Sequence, residues 1–481
     1  MTHDVIVLLP GIGGSRLERD GKAIYDLSLR ALPRLIWNWV GGDLAYTGGS
    51  GKPDDGVVAT DLFNNQLIPG FFGVDDYDGL CATLKAVVRN PAQQFFKFPY
   101  DWRASNRWAA EALDAFIRPK LHAWRNGAGG SDAKLWLVSH SMGGLVARYF
   151  LEHLGGADIT RHLITMGTPH RGAPKALNAL VNGLGLGPLD FSRVIRSFAS
   201  TYELLPQYPA VHVGEGSDAP LARVADFFGL GSVLPMPIVS GTPIAAPVGL
   251  SPLPHIDPAR LGDALAFHAA IRQPVIRRIK NGEETPYKIS CFFNRRQTTP
   301  QSARWSSEAL EMSDDSPIPT PADADAAFRR GDGTVPGPSA VPIEWQDTAN
   351  AIAVDEKHVA MPSASVVTDI IHNYASPLDA RAYMSGALPD GTIGLAVPPL
   401  VMVGQAFEIV VDVIKAAQLT ISLAPVESGV AAHSERVQVG ERSSARMEFT
   451  LREQGTYIVT AKSVNPTRPA VSDWVVAITP P

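Results

Sequence analysis

Apolar residues along this chain fall into two regimes. Up to about residue 374 they come as short unbroken runs between helical or irregular stretches, the pattern of a sheet buried on both faces. Val5 to Leu9, Phe95 to Phe98, Leu135 to Val138, Ile164 to Met166, Tyr287 to Phe293 and Ala351 to Val354 are too short for helices and predict strands. Leu145, Val146, Tyr149 and Phe150 recur at helical spacing, and further helices are predicted from about Tyr77 to Val88 and from about Ser363 to His372. From about Gly394 the period becomes two: Phe407, Ile409, Val411 and Val413; Leu419, Ile421 and Leu423; Met447, Phe449 and Leu451 alternate with polar or small residues. Short alternating runs separated by turns predict an antiparallel sandwich.

Two stretches interrupt the first regime. Residues 18–79 are rich in Gly, Pro, Asp and Asn and read as an insertion in the core fold. Their apolar clusters, Leu35 to Val40 with Trp37 and Trp39 and Leu67 to Phe72, read as satellite packing or as a lid facing lipid. Residues 173–285 are poorly periodic and rich in Pro, Gly, Leu and Phe, and read as a cap over the site or as extra structural helices. The expected division is therefore 1–385 for the large domain and 394–481 for the small one.

Charge narrows the function. With 42 basic against 48 acidic residues the net charge is −6, and basic runs do not exceed pairs such as Arg277-Arg278 and Arg329-Arg330, so no nucleic-acid partner is expected. No apolar run approaches the roughly 18 residues of a membrane span, so contact with lipid is expected to be peripheral. The chain passes from Met1-Thr2-His3-Asp4 directly into the first strand, and its two cysteines, Cys81 and Cys291, read as reduced packed thiols with a disulfide as the alternative; the expected compartment is the cytoplasm. No metal-ligand cluster is visible, and neither a metal nor another cofactor is expected.

The candidate chemistry centres on Ser141. Leu135 to Val138 run into Ser139-His140-Ser141-Met142-Gly143-Gly144 and then a helix, the strand, serine, helix order of a nucleophile elbow. Such a turn strains the serine backbone and requires small neighbours two residues away on either side, which Ser139 and Gly143 provide; Ser139 replaces the usual glycine. After the first strand, Pro10-Gly11-Ile12-Gly13-Gly14 lacks the ending of a P-loop and the spacing of a dinucleotide fingerprint. It fits one side of an oxyanion hole, with the amide of Ile12 as one donor and that of Met142 as the other. The turn Gly331-Asp332-Gly333 supplies the best candidate acid, with Asp323, Asp325 and Asp355 as alternatives. His358, on the loop after the last predicted strand, is the candidate base; His170 precedes the acid, His372 lies in a helix, and His255 and His268 lie in the cap. Asp101 and Arg103 read as a loop anchor and Trp102 as packing.

Taken together, PGIGGSRL, GVDDYDGL, FPYDWR, VSHSMGGLVARY, TMGTPHRGAP and GDGTVP resemble the lecithin:cholesterol acyltransferase family of α/β-hydrolases, with its lysosomal phospholipase and diacylglycerol acyltransferase relatives, over about residues 4–178 and 287–374. The resemblance implies an α/β-hydrolase with lid and cap insertions, and a phospholipid or other acyl glyceride as acyl donor. Unlike the family's secreted members, the chain has no cysteine pair to staple the early insertion. The C-terminal segment, with Gly455-Thr456-Tyr457 placed as a tyrosine corner and Trp474 to Ile478 as a last strand, resembles an immunoglobulin-like domain without its disulfide. The expected function is a serine acyl hydrolase or acyltransferase of phospholipase A type, acting at a lipid or membrane surface, with the sandwich free to pack or to meet a protein partner. A soluble esterase for small esters or lactones and a non-catalytic binding module are the competing readings.

Overall fold

In the computed structural model the chain is described for residues 1–26, 38, 42–48, 55–62, 66–68, 72–74, 77–186, 189–213, 221–224, 256–306, 309–314, 330–345, 351–375, 393–398, 400–413, 416–426, 430–441, 443–464 and 470–479. Six strands form a central sheet, β1 (Val5–Leu9), β2 (Phe95–Lys97), β3 (Leu135–His140), β4 (Thr160–Met166), β5 (Lys288–Phe293) and β6 (Ile352–Ala353). Every pairing is parallel and the spatial order is β2-β1-β3-β4-β5-β6. The order therefore reverses between β1 and β3. In an open parallel sheet that reversal opens a crevice at the strand C-termini.

The unbroken apolar runs are explained by two covered faces. Val5, Val7 and Leu9 of β1 join Leu135 and Leu137 of β3 on one side, packed by α2 (Asn106–Asn126), α3 (Gly143–His153) and α5 (Pro258–Asn281) through Leu113, Ile117, Leu145, Val146 and Phe267. Ile6, Leu8, Trp136 and Val138 face the other way, against α1 (Tyr77–Ala86) and α6 (Ser365–Tyr374) through Leu80, Leu84, Val367 and Ile371. A one-residue shift of register would exchange these two sets, so the pairing is strongly specified.

The insertions are more regular than their sequences suggest. Ser15–Arg19 pairs with Lys22–Tyr25 and with Val57–Leu62 in a small antiparallel sheet. Pro209–Val213, Leu221–Arg223, Ser302–Ser306 and Ala309–Ser313 form another. In the region expected to lack periodicity, α5 runs for 24 residues, opened by Asp257, whose side chain accepts from the Ala259 and Arg260 amides, and closed by Gly282 in the left-handed conformation at φ 67°. Cap helix α4 (Pro174–Val181) precedes it. Trp37, Trp39 and the tip of the second apolar cluster lie outside the described residues, as does the expected boundary between the large and small domains.

The C-terminal strands are β7 (Ile393–Ala396), β8 (Leu400–Met402), β9 (Ala406–Val413), β10 (Ala417–Pro425), β11 (His433–Val439), β12 (Ser443–Thr450), β13 (Gly455–Ser463) and β14 (Val471–Ile478). They form two sheets, β7-β9-β12 and β8-β14-β13-β10-β11, antiparallel except for the β8 and β14 pair. The alternating residues named from the sequence, from Phe407 to Leu451, are buried in one apolar layer between them. The Tyr457 hydroxyl donates to the Glu453 carbonyl four residues upstream, at 3.0 Å, the bond a tyrosine corner requires.

Candidate active site

β3 delivers its chain to a turn in which Ser141 takes φ 51°, one of two non-glycine residues with positive φ among the described residues. A side chain held there costs about 1–3 kcal/mol and persists only where the surroundings fix it. Two bonds do so: the Ser141 amide donates to the Met166 carbonyl at 2.8 Å, and the Gly144 amide donates to the Ser141 carbonyl at 3.1 Å. Gly143 is required because a Cβ there would meet the Pro10 carbonyl oxygen at 2.5 Å. Ser139 is tolerated in place of glycine because its hydroxyl donates to the Ile164 carbonyl on β4, at 3.1 Å.

The fold brings three distant residues together at this turn. His358 Nε2 lies 2.9 Å from Ser141 Oγ, and His358 Nδ1 lies 2.7 Å from Asp332 Oδ2. The second carboxylate oxygen of Asp332 accepts the amides of Thr334 and Val335, at 2.9 and 2.7 Å, so the side chain is oriented from behind. A carboxylate only accepts, so Nδ1 carries the ring proton and Nε2 turns a lone pair toward the serine hydroxyl. All three residues are buried at 1% exposure, and the His358 amide donates to the Asp332 carbonyl, tying the two loops together. Of the four candidate acids, Asp332 is the one whose carboxylate is seen to meet the His358 ring; Asp323 and Asp325 are outside the described residues.

Ile12 and Met142 are buried beside this group, at 2% and 0% exposure, and among the described residues neither amide donates to a protein acceptor. Buried amides are almost always paired. Two left open at one strand crevice suit an oxygen that arrives with a ligand.

A second hydrogen-bonded chain surrounds the first, and the sequence reading assigned it no role. His140 Nε2 lies 3.0 Å from the His358 carbonyl, which only accepts, so Nε2 carries the proton and Nδ1 accepts from the Tyr77 hydroxyl at 2.9 Å. Tyr77 in turn accepts the Gly11 amide at 3.1 Å. Burial, and then the neighbouring His358 ring, hold His140 well below the usual imidazole pKa, in keeping with this neutral tautomer. The network joins the loop carrying Ile12, the serine turn and the His358 backbone. Tyr77 and His140 both stand inside quoted motifs, and that was the available signal.

Gly167 forms the floor. At φ 58° it already occupies a glycine region, and a Cβ would stand 2.8 Å from His358 Nδ1 and 2.9 Å from Asp332 Oδ2. Gly167→Ala is therefore expected to displace the imidazole and lower kcat by about 100-fold, the scale of a misplacement of about 1 Å. Steady-state kinetics alongside circular dichroism of the folded variant check this.

The remaining assignments follow the geometry. His170 is half-buried, with its Nε2 3.4 Å from the Thr165 hydroxyl and 3.9 Å from Cys291 Sγ, and its pKa is held well below normal, first by desolvation and then by Arg148. His268 binds the Glu203 carbonyl and His372 is exposed on α6, while His255 is outside the described residues. Arg103, fully buried, pairs with Asp101 at 2.7 Å and with Asp55 at 2.9 Å, and Trp102 packs edge-on against Tyr25 and Phe198. Cys81 and Cys291 are free and buried, and burial pushes the Cys291 thiol up to about 12.

Comparison with known proteins agrees with the motifs. Residues 48–221 match the family model described as lecithin:cholesterol acyltransferase, a stretch that includes Ser141 and ends before Asp332 and His358. Over 242 residues the chain is 26% identical to the Arabidopsis thaliana protein named phospholipase A(1) LCAT3, a match covering 44% of this chain and 51% of that protein. It is 29% identical over 163 residues to lecithin-cholesterol acyltransferase-like 4 of the same plant, covering 33% of this chain and 29% of the other. The matches thus span about half the length of one relative and less than a third of the other. Among solved structures, a CARDB domain from Pyrococcus furiosus aligns at 16% identity and TM-score 0.15, covering 19% of this chain and 96% of that one, too weak a likeness to bear on the fold. The family match and these relatives together support a likeness of this chain to the lecithin:cholesterol acyltransferase family, carried by the stretch that holds Ser141.

Proposed function

We propose that this protein is an α/β-hydrolase with an appended immunoglobulin-like sandwich, and that it transfers acyl groups from lipid esters through an ester on Ser141. The observation that carries the reading is the line from Ser141 Oγ through the His358 ring to Asp332 Oδ2, held at 2.9 and 2.7 Å at a strained strand-to-helix turn. In this reading Ser141 Oγ attacks the acyl carbonyl as its proton passes to His358 Nε2, while Asp332 stabilises the imidazolium. The Ile12 and Met142 amides receive the oxyanion. Collapse breaks the ester bond, and the departing alkoxide takes the proton from His358. Water or an alcohol then enters by the same steps reversed, releasing a fatty acid or a new ester and restoring the serine.

The names of the relatives, phospholipase A(1) among them, favour phospholipid as donor. Among the described residues no helix is long and apolar enough to cross a membrane, which suits a protein meeting lipid at a surface. Division into a large domain at 1–385 and a small one at 394–481, and a cytoplasmic location, belong to the same proposal. The test is phosphatidylcholine vesicles against a dissolved short-chain ester, with products identified by mass spectrometry and with an added long-chain alcohol. The expected result is a lysophospholipid plus fatty acid or alkyl ester, with turnover on vesicles at least about tenfold above that on the dissolved ester. Turnover confined to the dissolved ester overturns the lipid assignment.

A further inference from the structure

The two loops that carry the serine's partners are both tied to the C-terminal sheets, one through Gln297 and the other through Lys357. Gln297 pairs its main chain with Gly331, the residue before Asp332, through two bonds of 3.0 and 3.1 Å. Its side-chain amide then spans to β7, donating to the Ile393 carbonyl at 3.2 Å and accepting the Leu395 amide at 3.1 Å, all at buried positions. One residue thus joins the β7 edge, through its side chain, to the turn that carries the acid, through its main chain. On the other loop, Lys357, directly before His358, pairs with Asp473 at the start of β14, with side chains only 10% and 16% exposed. Val359 and Ala360, directly after His358, share a small apolar cluster with Trp474.

The seat beneath these contacts is itself apolar. Leu400 and Met402 of β8 and Val476 and Ile478 of β14 belong to the same buried cluster as β1 and β3. A cavity of about 250 Å3 lies behind the acid and base, walled by Asp332, His358 and Lys175 on one side and by Leu395 and Trp474 on the other. An accessory domain that only packed would have no reason to concentrate its polar contacts on the neighbours of Asp332 and His358.

We infer that the C-terminal sheets act as an intramolecular clamp that sets the positions of Asp332 and His358, with Gln297, Lys357 and Asp473 as positioning residues. The inference rests on the reading of Ser141, His358 and Asp332 as the reacting groups. A clamp acts on reactivity, whereas plain packing acts only on stability. Asp473→Asn removes the charge facing Lys357 at constant size, and Gln297→Leu removes both bonds to β7. Asp473→Glu keeps the carboxylate.

The experiment measures, in the full chain, the second-order rate of Ser141 labelling by a fluorophosphonate, kcat and KM on phosphatidylcholine vesicles, and Tm. Asp473→Asn and Gln297→Leu are each expected to lower kcat and the labelling rate together by about tenfold or more, with KM within about twofold. Asp473→Glu is expected to recover most of the lost rate. Labelling and kcat unchanged in variants that remain folded, or lowered only in proportion to the unfolded fraction, overturn the clamp. Failure of the unaltered protein to label at Ser141 overturns the serine reading itself, and the clamp with it.

Discussion

Ser141→Ala is expected to lower turnover on lipid esters by about four orders of magnitude or more, with KM little changed and the fold intact. Removing Oγ deletes the atom that would form the covalent ester, and no neighbour replaces it: Ser139 Oγ is committed to the Ile164 carbonyl. Alanine lacks only the hydroxyl and needs no change in the turn, whose φ of 51° is held by backbone bonds from Ser141 and Gly144. Residual activity should come from the open Ile12 and Met142 amides and from binding, neither of which depends on the hydroxyl. The measurement is single-turnover and steady-state kinetics on the purified variant, with thermal unfolding to establish that it is folded. An unchanged rate would remove Ser141 from the chemistry.

Much of this arrangement was legible in the chain because it is written in local patterns. A buried parallel strand needs an unbroken apolar run, so β1, β3 and β5 announced themselves. The strained serine needs small neighbours, and the turn around Asp332 needs its glycines. Order along the chain separated His358 from His170, since both end near strand tips and differ only in which side of the acid they fall. Helix α5 was missed for a different reason. Its buried face, Leu261, Ala264, Phe267, His268, Ile271, Arg272 and Val275, has helical spacing, but polar His and Arg and the interior Pro274 interrupt the apolar signal. The start at Asp257-Pro258 and the stop at Gly282 were the stronger marks.

What the sequence did not disclose was reach. Gln297 lies 34 positions before Gly331 and 98 before Leu395, and its role exists only once the acid turn and β7 stand on either side of it. Lys357 and Asp473, 116 positions apart, form a pair that no spacing rule suggests. Tyr77 is similar, because its hydroxyl joins the first glycine loop to His140 across 63 residues. These contacts are set by tertiary packing, and local propensity carries no trace of them.

The acid offers the sharpest test of how the three side chains cooperate, because Asp332→Asn changes one atom and reverses a hydrogen bond. Asp332 Oδ1 accepts the Thr334 and Val335 amides, so the asparagine must place its carbonyl oxygen there and turn its NH2 group toward His358 Nδ1. An NH2 group only donates, which forces Nδ1 to accept and moves the ring proton to Nε2, the nitrogen 2.9 Å from Ser141 Oγ. The imidazole then meets the serine with a proton instead of a lone pair and cannot take the hydroxyl proton. The expected result is a loss of kcat of about 10⁴-fold near neutral pH at nearly unchanged size and packing, with KM little changed. Asp332→Ala, which imposes no tautomer, is expected to leave the ring free to present its lone pair and so not to fall below the asparagine variant, although it opens a void. An asparagine variant as active as the unaltered protein would mean that Asp332 only packs behind His358.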